Sequence, residues 1–280
     1  MKHPMKRPEM ILFDYGHTLL YQPEHNASNG SKALFPYISE NPRNISFEIF
    51  DKTIADIWAK LKPEKGSIRE VHEYAFLKLA MEYMELSLSI SFEEAEKVIM
   101  NGISRGGIMP YADKMLAYLN AEGIRTGVIS NICFSGKALQ AHFDDLIPDN
   151  QFAFVLASSD YVFRKPDKTM FEIALRKAGL SADKVWYCGD SIEKDVYGAK
   201  NAGIFPVLYE EEGKCEAFLE MSSDDMRPDR QVRERYLNSR GETPDESNPF
   251  SARKAELQMD FDYLHIHDWR ELISVLEKLR

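Results

Sequence analysis

Residues 10–19 read MILFDYGHTL. The apolar run Met10–Phe13 is typical of a short buried strand, and Asp14 follows directly where that strand ends. Ligands of α/β sheets bind outside the carboxyl ends of the strands, so an Asp at this point is a candidate functional residue. The same position also suits an Asp that only stabilises a turn. The stretch therefore predicts the first strand of an α/β sheet with one carboxylate beside its end.

Further apolar runs of this kind recur along the chain, at residues 127–129, 152–156, 185–188, 206–209 and 263–266. Helical stretches at 113–122, 168–178 and 193–202 lie between them, and each is followed by a glycine suited to a helix C-terminus. A helix after each strand indicates a doubly wound α/β fold with a parallel, Rossmann-like sheet.

Residues 21–110 interrupt this alternation with helical patterns, and no strand pattern competes there. One apolar stripe runs through Phe47, Phe50, Ile54, Ile57, Trp58 and Leu61, and a second through Ile68, Val71, Ala75, Leu79, Tyr83 and Leu86. Ser91 with Glu94 reads as a capping box that opens a third helix. The flanks 23–42 and 101–110 look like loops. We therefore predict a helical module, 21–110, inserted into an α/β core formed by 1–20 and 111–280.

The composition of the 280 residues is that of an ordinary globular protein, with 35 basic and 45 acidic residues and a net charge of −10. An acidic chain argues against general nucleic-acid binding. The three cysteines form no metal-ligand pattern, and no apolar run has the length of a membrane span or a signal peptide. We expect a cytoplasmic protein, and the oligomeric state is open.

A second irregular stretch, residues 210–258, is rich in charge and poor in apolar residues. We interpret it as a solvated and partly flexible insertion. The alternative is an interaction element or a lid.

Three more polar groups follow predicted strands or precede predicted helices. Ser130 and Asn131 can bind an anion or cap a helix, and Lys165 can hold an anion or be a surface lysine beside a turn proline. Asp190 and Asp195 follow a buried strand and offer the hard oxygen ligands that Mg²⁺ prefers, although either can also serve a helix start.

Together with Asp14, these groups in this order, with a helical insertion after the first strand, resemble the haloacid dehalogenase (HAD) superfamily of aspartyl-phosphate hydrolases. The resemblance covers roughly 8–20 and 111–280 except the charged stretch, and it explains 21–110 as the family's helical cap. It implies that Asp14 is the nucleophile that attacks phosphorus. It also implies that Mg²⁺ is held by the Asp14 carboxylate, the backbone carbonyl of Gly16 and Asp190.

The resemblance assigns the remaining motif residues to charge and orientation. Ser130 and the backbone of Asn131 would bind the transferring phosphoryl oxygens. Lys165 would neutralise the nucleophile and the phosphoryl group, and Asp195 would orient Lys165 or a metal-bound water. Fixed cations are needed because an anionic nucleophile meets an anionic phosphoryl group.

Gly16 departs from the family pattern, which has an Asp at this position to protonate the leaving oxygen. Loss of such an acid is worth roughly 10²–10⁴ in rate. The substrates could then be acyl or aryl phosphates, whose leaving groups need no proton. Alternatively His17, which titrates near neutrality, substitutes as the acid, unless it is only a turn residue under the cap.

The leading hypothesis is a Mg²⁺-dependent hydrolase of a small phosphorylated metabolite. A phosphonate-cleaving relative would need a cap lysine, for which Lys32, Lys52, Lys60, Lys62 and Lys65 are available. A catalytically weak phosphate-binding or regulatory protein is the third reading. Asp190 and Asp195 argue against a carbon–halogen dehalogenase, because a haloacid site gains nothing from a metal-binding pair.

Overall fold

A computed structural model describes residues 5–21, 25–64, 66–210 and 262–280. In chain order the strands are β1 (Met10–Phe13), β2 (Leu20–Tyr21), β3 (Ile38–Glu40), β4 (Ser87–Leu88), β5 (Gly107–Ile108), β6 (Arg125–Ser130), β7 (Phe152–Ala157), β8 (Val185–Gly189), β9 (Phe205–Tyr209) and β10 (Leu264–Ile266). The helices are α1 (Ala27–Leu34), α2 (Phe47–Leu61), α3 (Glu73–Met84), α4 (Phe92–Ile103), α5 (Ala112–Ala121), α6 (Gly136–Leu146), α7 (Ser158–Tyr161), α8 (Lys168–Ala178), α9 (Gly198–Asn201) and α10 (Trp269–Lys278).

The core is one six-stranded parallel sheet in the order β10-β9-β8-β1-β6-β7. β1 lies in the interior of this sheet, with Met10 opposite Arg125 of β6 on one side and Val185 of β8 on the other. The predicted doubly wound α/β fold is thereby confirmed. The central position of β1 explains why this strand is a continuous apolar run, because both of its faces are covered.

Side chains of β1 alternate between two hydrophobic cores, one on each face of the sheet. Ile11 and Phe13 belong to the larger core, while Met10 and Leu12 belong to the smaller one. Phe13 packs edge-on against Trp269 of α10, with ring centroids 5.6 Å apart. This packing fixes β1, and with it the position of Asp14.

The helices α1 to α4 lie between two adjacent short strands, β2 and β5, and this part of the chain is called the insertion below; its bounds of 21–110 stay a prediction. β2 and β5 pair antiparallel, with Leu20 opposite Ile108, so the entry and the exit of the insertion lie side by side. Ser91 and Glu94 form the predicted capping box at the start of α4. Short strands also occur, since β3 pairs with β4, and the expectation of a purely helical insertion was wrong in this respect.

The expected loop at 23–42 was also wrong, because α1 forms within it. Asn26 caps this helix by accepting a hydrogen bond from the Ser28 amide at 3.0 Å. Gly30 and Gly102 let α1 and α4 cross closely: a Cβ built on Gly102 would lie 2.7 Å from that of Ala33. Tertiary packing therefore stabilises a helix whose own propensity is poor.

The second predicted stripe of the insertion was on the wrong face of α3. Leu79 and Tyr83 are 46% and 67% exposed, and Ile68 precedes the helix. The buried face carries Phe76, Leu77, Ala80, Met81 and Met84 instead. Both faces of this helix are partly apolar, so periodicity alone did not distinguish them.

Two further predictions concern the second half of the chain. The helix expected at 193–202 begins as a π-helical turn, Ile192–Tyr197, and continues as α9. Nearly all of the charged stretch 210–258 lies outside the described residues. Among the helices that are described, none has an apolar stretch long enough to cross a lipid bilayer.

Glu73, at the start of α3, is buried where the insertion meets the core, and its amide donates to the Cys133 carbonyl at 2.8 Å. Burial raises the pKa of Glu73 to about 7 from 4.5, with the Cys133 hydrogen bond opposing the rise and Glu96 reinforcing it. As pH rises, Glu73 loses its proton at a lower pH in the unfolded chain than in the folded protein. The contribution of Glu73 to stability is therefore highest below the unfolded pKa, and it is lost as pH rises through the folded pKa.

Glu73→Gln is therefore expected to be more stable than the natural protein by about 3 kcal/mol at about pH 8, and by little at about pH 5. Denaturant unfolding at the two pH values measures the difference. Glu82→Gln, on the exposed face of the same helix, is the control. An equal effect of Glu73→Gln at both pH values would show that Glu73 is already ionised in the folded state.

Candidate active site

The predicted site residues come together at one edge of the sheet. Asp14 follows β1, Ser130 ends β6 and Asp190 follows β8, and these three strands are neighbours. Asp195 lies in the π-helical turn after β8, and Lys165 lies in the loop between α7 and α8. The carboxyl ends of parallel strands meet at the same edge, which is why residues far apart in sequence become neighbours.

Lys165 is the centre of this cluster, and its ammonium makes three short contacts. Its Nζ lies 2.8 Å from Asp14 Oδ1, 2.7 Å from Asp195 Oδ1 and 2.6 Å from the Tyr187 hydroxyl. Its side chain is 1% exposed. The three ammonium hydrogens therefore each have an acceptor, and the lysine is fixed against the Asp14 carboxylate.

Electrostatics keep this lysine charged. Burial acts to lower its pKa, but the attraction of Asp14 and Asp195 is larger in sum and raises the pKa of Lys165. Burial raises the pKa of Asp14, with Lys165 opposing the rise and Asp195 adding to it. The pair therefore places a fixed positive charge beside a carboxylate that is largely removed from water.

Both carboxylate oxygens of Asp195 are already engaged. Oδ1 faces Lys165, and Oδ2 accepts the Ser191 amide at 2.9 Å. Gly189 makes room for this arrangement, because a Cβ there would overlap the Asp195 carboxyl group. Asp195 is thus suited to orienting Lys165.

Asp14, Asp190 and Asp195 form a compact acidic group, with one oxygen of each within 4.8 Å of the others. Three carboxylates exceed the single ammonium in charge, and hard carboxylate oxygens are the ligand type that Mg²⁺ takes. The donor set therefore fits a divalent cation. Asp195 already binds Lys165 and the Ser191 amide, and the assignment of Asp14 and Asp190 as ligands of the cation stays a prediction.

Ser130 and Asn131 lie beside this group in different ways. Ser130 is 3% exposed at the end of β6. The Asn131 side chain donates to the Lys165 carbonyl at 2.9 Å and accepts the Lys165 amide at 2.8 Å. The Asn131 side chain thus holds the lysine loop, while its role toward phosphate through the backbone stays a prediction.

Gly16 and His17 occupy the turn after Asp14. A Cβ built on Gly16 meets nothing within 4 Å, so the position is open. His17 has a left-handed backbone, with φ of 58°, and its amide donates to the Leu20 carbonyl at 2.8 Å. This geometry is that of a turn residue, and its role as an acid stays a prediction.

Sequence reasoning missed Tyr187 as a member of the site. Its hydroxyl contacts Lys165, Asp195 Oδ1 at 3.2 Å and the Ile129 carbonyl at 3.1 Å. Burial and the two nearby carboxylates raise its pKa well above the usual range, so the hydroxyl stays protonated. The available signal was the position of Tyr187, whose hydroxyl is the polar group of an otherwise apolar strand, two residues before the Gly189-Asp190 pair.

The comparisons with known proteins identify the family of the chain. The profile of the haloacid dehalogenase-like hydrolases matches residues 41–208, and the chain belongs to that family. Glyceraldehyde 3-phosphate phosphatase of Pyrococcus furiosus is 26% identical over 212 residues, which cover 73% of this chain and 82% of the relative. Ribulose-1,5-bisphosphate 5-phosphatase of Halopiger xanaduensis is 23% identical over 220 residues, covering 74% and 87%.

Two solved structures share the fold. A 2-haloacid dehalogenase from Pseudomonas syringae superimposes with a TM-score of 0.50 at 20% identity, covering 97% of this chain and 99% of the other. A HAD phosphatase from Thermococcus onnurineus gives a TM-score of 0.50 at 16% identity, covering 95% and 97%. The family resemblance and the prediction of a phosphatase-like hydrolase are thereby confirmed.

Proposed function

We propose that the chain is a Mg²⁺-dependent phosphatase that transfers a phosphoryl group to Asp14 from a small phosphorylated metabolite. The observation that carries this proposal is the 2.8 Å contact between Lys165 and Asp14, beside an acidic group suited to a divalent cation. Phosphatases of small phosphorylated sugars among the relatives support the substrate class. The cytoplasm stays the expected compartment.

In the first step an Asp14 oxygen attacks phosphorus and the bond from phosphorus to the leaving oxygen breaks. Lys165 contacts Oδ1 of this carboxylate and would hold it in place for the attack. Ser130 and the Asn131 backbone would hold the phosphoryl oxygens, and Lys165 would offset the charge that gathers there. Bound Mg²⁺ would supply further charge neutralisation, held by Asp14, Asp190 and the Gly16 carbonyl.

In the second step water attacks the phosphorus of the aspartyl phosphate, and the bond from phosphorus to the Asp14 oxygen breaks. The proton of the water passes to the released inorganic phosphate or to solvent, and the Asp14 carboxylate is restored. No carboxylate stands at position 16 to give the leaving group a proton or to take one from this water. The open space at Gly16 therefore favours substrates whose leaving groups depart as stable anions, such as acyl and aryl phosphates.

The other two readings have different support. The open position 16 also fits a protein that becomes phosphorylated on Asp14 and hydrolyses this aspartyl phosphate slowly. That protein is the catalytically weak alternative. A phosphonate-cleaving enzyme would need a sheltered lysine in the insertion. Lys32, Lys52, Lys60 and Lys62 are exposed, and Lys65 lies outside the described residues, so no observation favours it.

The test is the dependence of kcat/KM on the leaving group, with Mg²⁺ and with a chelator. Acetyl phosphate, p-nitrophenyl phosphate and glycerol phosphate span the range from good to poor leaving groups. We expect Mg²⁺-dependent turnover that falls by roughly 10²-fold or more toward the alkyl phosphate, because the leaving alkoxide receives no proton. A flat dependence would show that another group donates the proton. Absence of Mg²⁺-dependent turnover on all three would overturn the proposed enzyme.

A further inference from the structure

A short segment of the helical insertion, residues 68–70, lies against the loop that leads to Lys165. The Glu70 amide donates to the Val162 carbonyl at 2.7 Å, and the Arg164 amide donates to the Ile68 carbonyl at 2.8 Å. Arg69 and Phe163 form an antiparallel bridge between them. The insertion is thus joined to the core by backbone hydrogen bonds at Val162 and Arg164, three residues and one residue before the lysine.

The Glu70 carboxylate lies inside this junction, with a side chain only 4% exposed. Its Oε2 accepts from the Ser158 hydroxyl at 2.8 Å and faces Arg164 Nε at 3.2 Å. Its Oε1 accepts the Val71 amide at 3.1 Å. A buried carboxylate with these partners has its hydrogen bonds satisfied. Loss of its charged partner, Arg164, would leave the buried negative charge without a counter-charge.

The partners of Glu70 reach both loops that flank the phosphoryl position. The Ser158 hydroxyl accepts the Ile132 amide at 2.9 Å, next to Asn131. Arg164 directly precedes Lys165, and the Asn131 side chain ties the two loops together through the Lys165 peptide. One carboxylate of the insertion is therefore linked to the Ser130–Asn131 loop and to the lysine loop.

The lysine loop itself needs such support. Val162 has φ of 66°, in the left-handed region that a β-branched residue rarely adopts. Its carbonyl accepts the Glu70 amide, so the insertion contacts the strained residue directly. Strained backbone persists only where surrounding contacts hold it.

We propose that Glu70 is a positioning residue, which couples docking of the helical insertion to the placement of Lys165 and the Ser130–Asn131 loop. It acts through Arg164 and Ser158 and does not contact the phosphoryl position. Loss of its charge loosens both loops together. This inference rests on the proposed function for its catalytic consequence, while its structural consequence can be measured without turnover.

The test compares Glu70→Ala and Glu70→Gln with Glu64→Gln, an exposed carboxylate on the same connection between α2 and α3. We expect kcat/KM for acetyl phosphate with Mg²⁺ to fall at least about tenfold in both Glu70 variants and to stay unchanged in the control. Amide hydrogen exchange in peptides covering 129–133 and 162–166 should become faster in both, while exchange in α10 stays the same.

A second variant separates the charge from the shape of the residue. Glu70→Gln leaves the Arg164 guanidinium without its partner, so Glu70→Gln combined with Arg164→Gln should recover part of kcat/KM. Unchanged kcat/KM and unchanged exchange in both peptides of Glu70→Ala would overturn the proposal. If that variant does not fold, Glu70→Gln decides by the same readouts. If the natural protein turns over neither acetyl phosphate, p-nitrophenyl phosphate nor glycerol phosphate, the proposed function fails, and the exchange comparison still decides the role of Glu70.

Discussion

Asp14→Asn is expected to lower kcat/KM for acetyl phosphate by at least about 10⁴-fold, because an amide oxygen is a poor nucleophile and the aspartyl phosphate cannot form. The substitution keeps the shape of the side chain, and Lys165 keeps its contact with Asp195, so the fold should persist. Circular dichroism and a cooperative melting transition check the fold.

A direct observation accompanies the kinetics. Acid-quenched natural protein should carry the mass of one phosphoryl group on the peptide that contains Asp14, and the variant should not. Asp149→Asn, at an exposed position between α6 and β7, is the matched control and should behave like the natural protein. Turnover by Asp14→Asn close to that of the natural protein would remove Asp14 as the nucleophile.

Gly16→Asp is expected to raise kcat/KM for alkyl phosphates by roughly 10²–10⁴-fold, with a smaller effect on acetyl phosphate. The structure has room for the change, since a Cβ at this position meets nothing within 4 Å. The φ of Gly16 is not in the left-handed region, so a side chain brings no backbone strain. The new carboxyl group would stand two residues from the nucleophile, able to protonate a departing alkoxide.

Gly16→Asn is the control, because it has nearly the same volume and cannot serve as an acid. The informative quantity is the kcat/KM of Gly16→Asp divided by that of Gly16→Asn, measured once on glycerol phosphate and once on acetyl phosphate. Equal rates of the two variants on glycerol phosphate would show that the missing acid does not limit the natural protein. The next residue to substitute would then be His17.

The sequence predicted the core well because its strands are short, largely apolar runs, and three of them, β1, β6 and β8, end in or directly precede a polar motif residue. β1 with Asp14 and β8 with Asp190 are clear cases, since burial on both faces leaves a continuous apolar signal. The grouping of Asp14, Lys165, Asp190 and Asp195 was expected from the family resemblance, and the structure brings them together.

The insertion was harder to predict because its helices are specified by packing between helices. The helix α1 depends on the close approach of Gly30 to α4, which no local pattern encodes. Apolar residues on both faces of α3 gave a misleading stripe through Leu79 and Tyr83. The Glu70 contacts with Ser158 and Arg164 join residues that are distant in sequence and carry no motif, so sequence reasoning could not find them.

The placement of β1 has a consequence for how the chain is made. Its partners β6 and β8 both lie beyond the insertion, so during synthesis β1 leaves the ribosome long before either partner exists. The helices α1 to α4 emerge in that interval, and the partners against which they pack within the insertion, such as α4 for α1, emerge with them. The insertion can therefore fold first. During this time the apolar β1 has no strand partner and can associate with other nascent chains. For this protein, a chaperone that binds β1 would matter most until residue 130, the end of β6, has been translated.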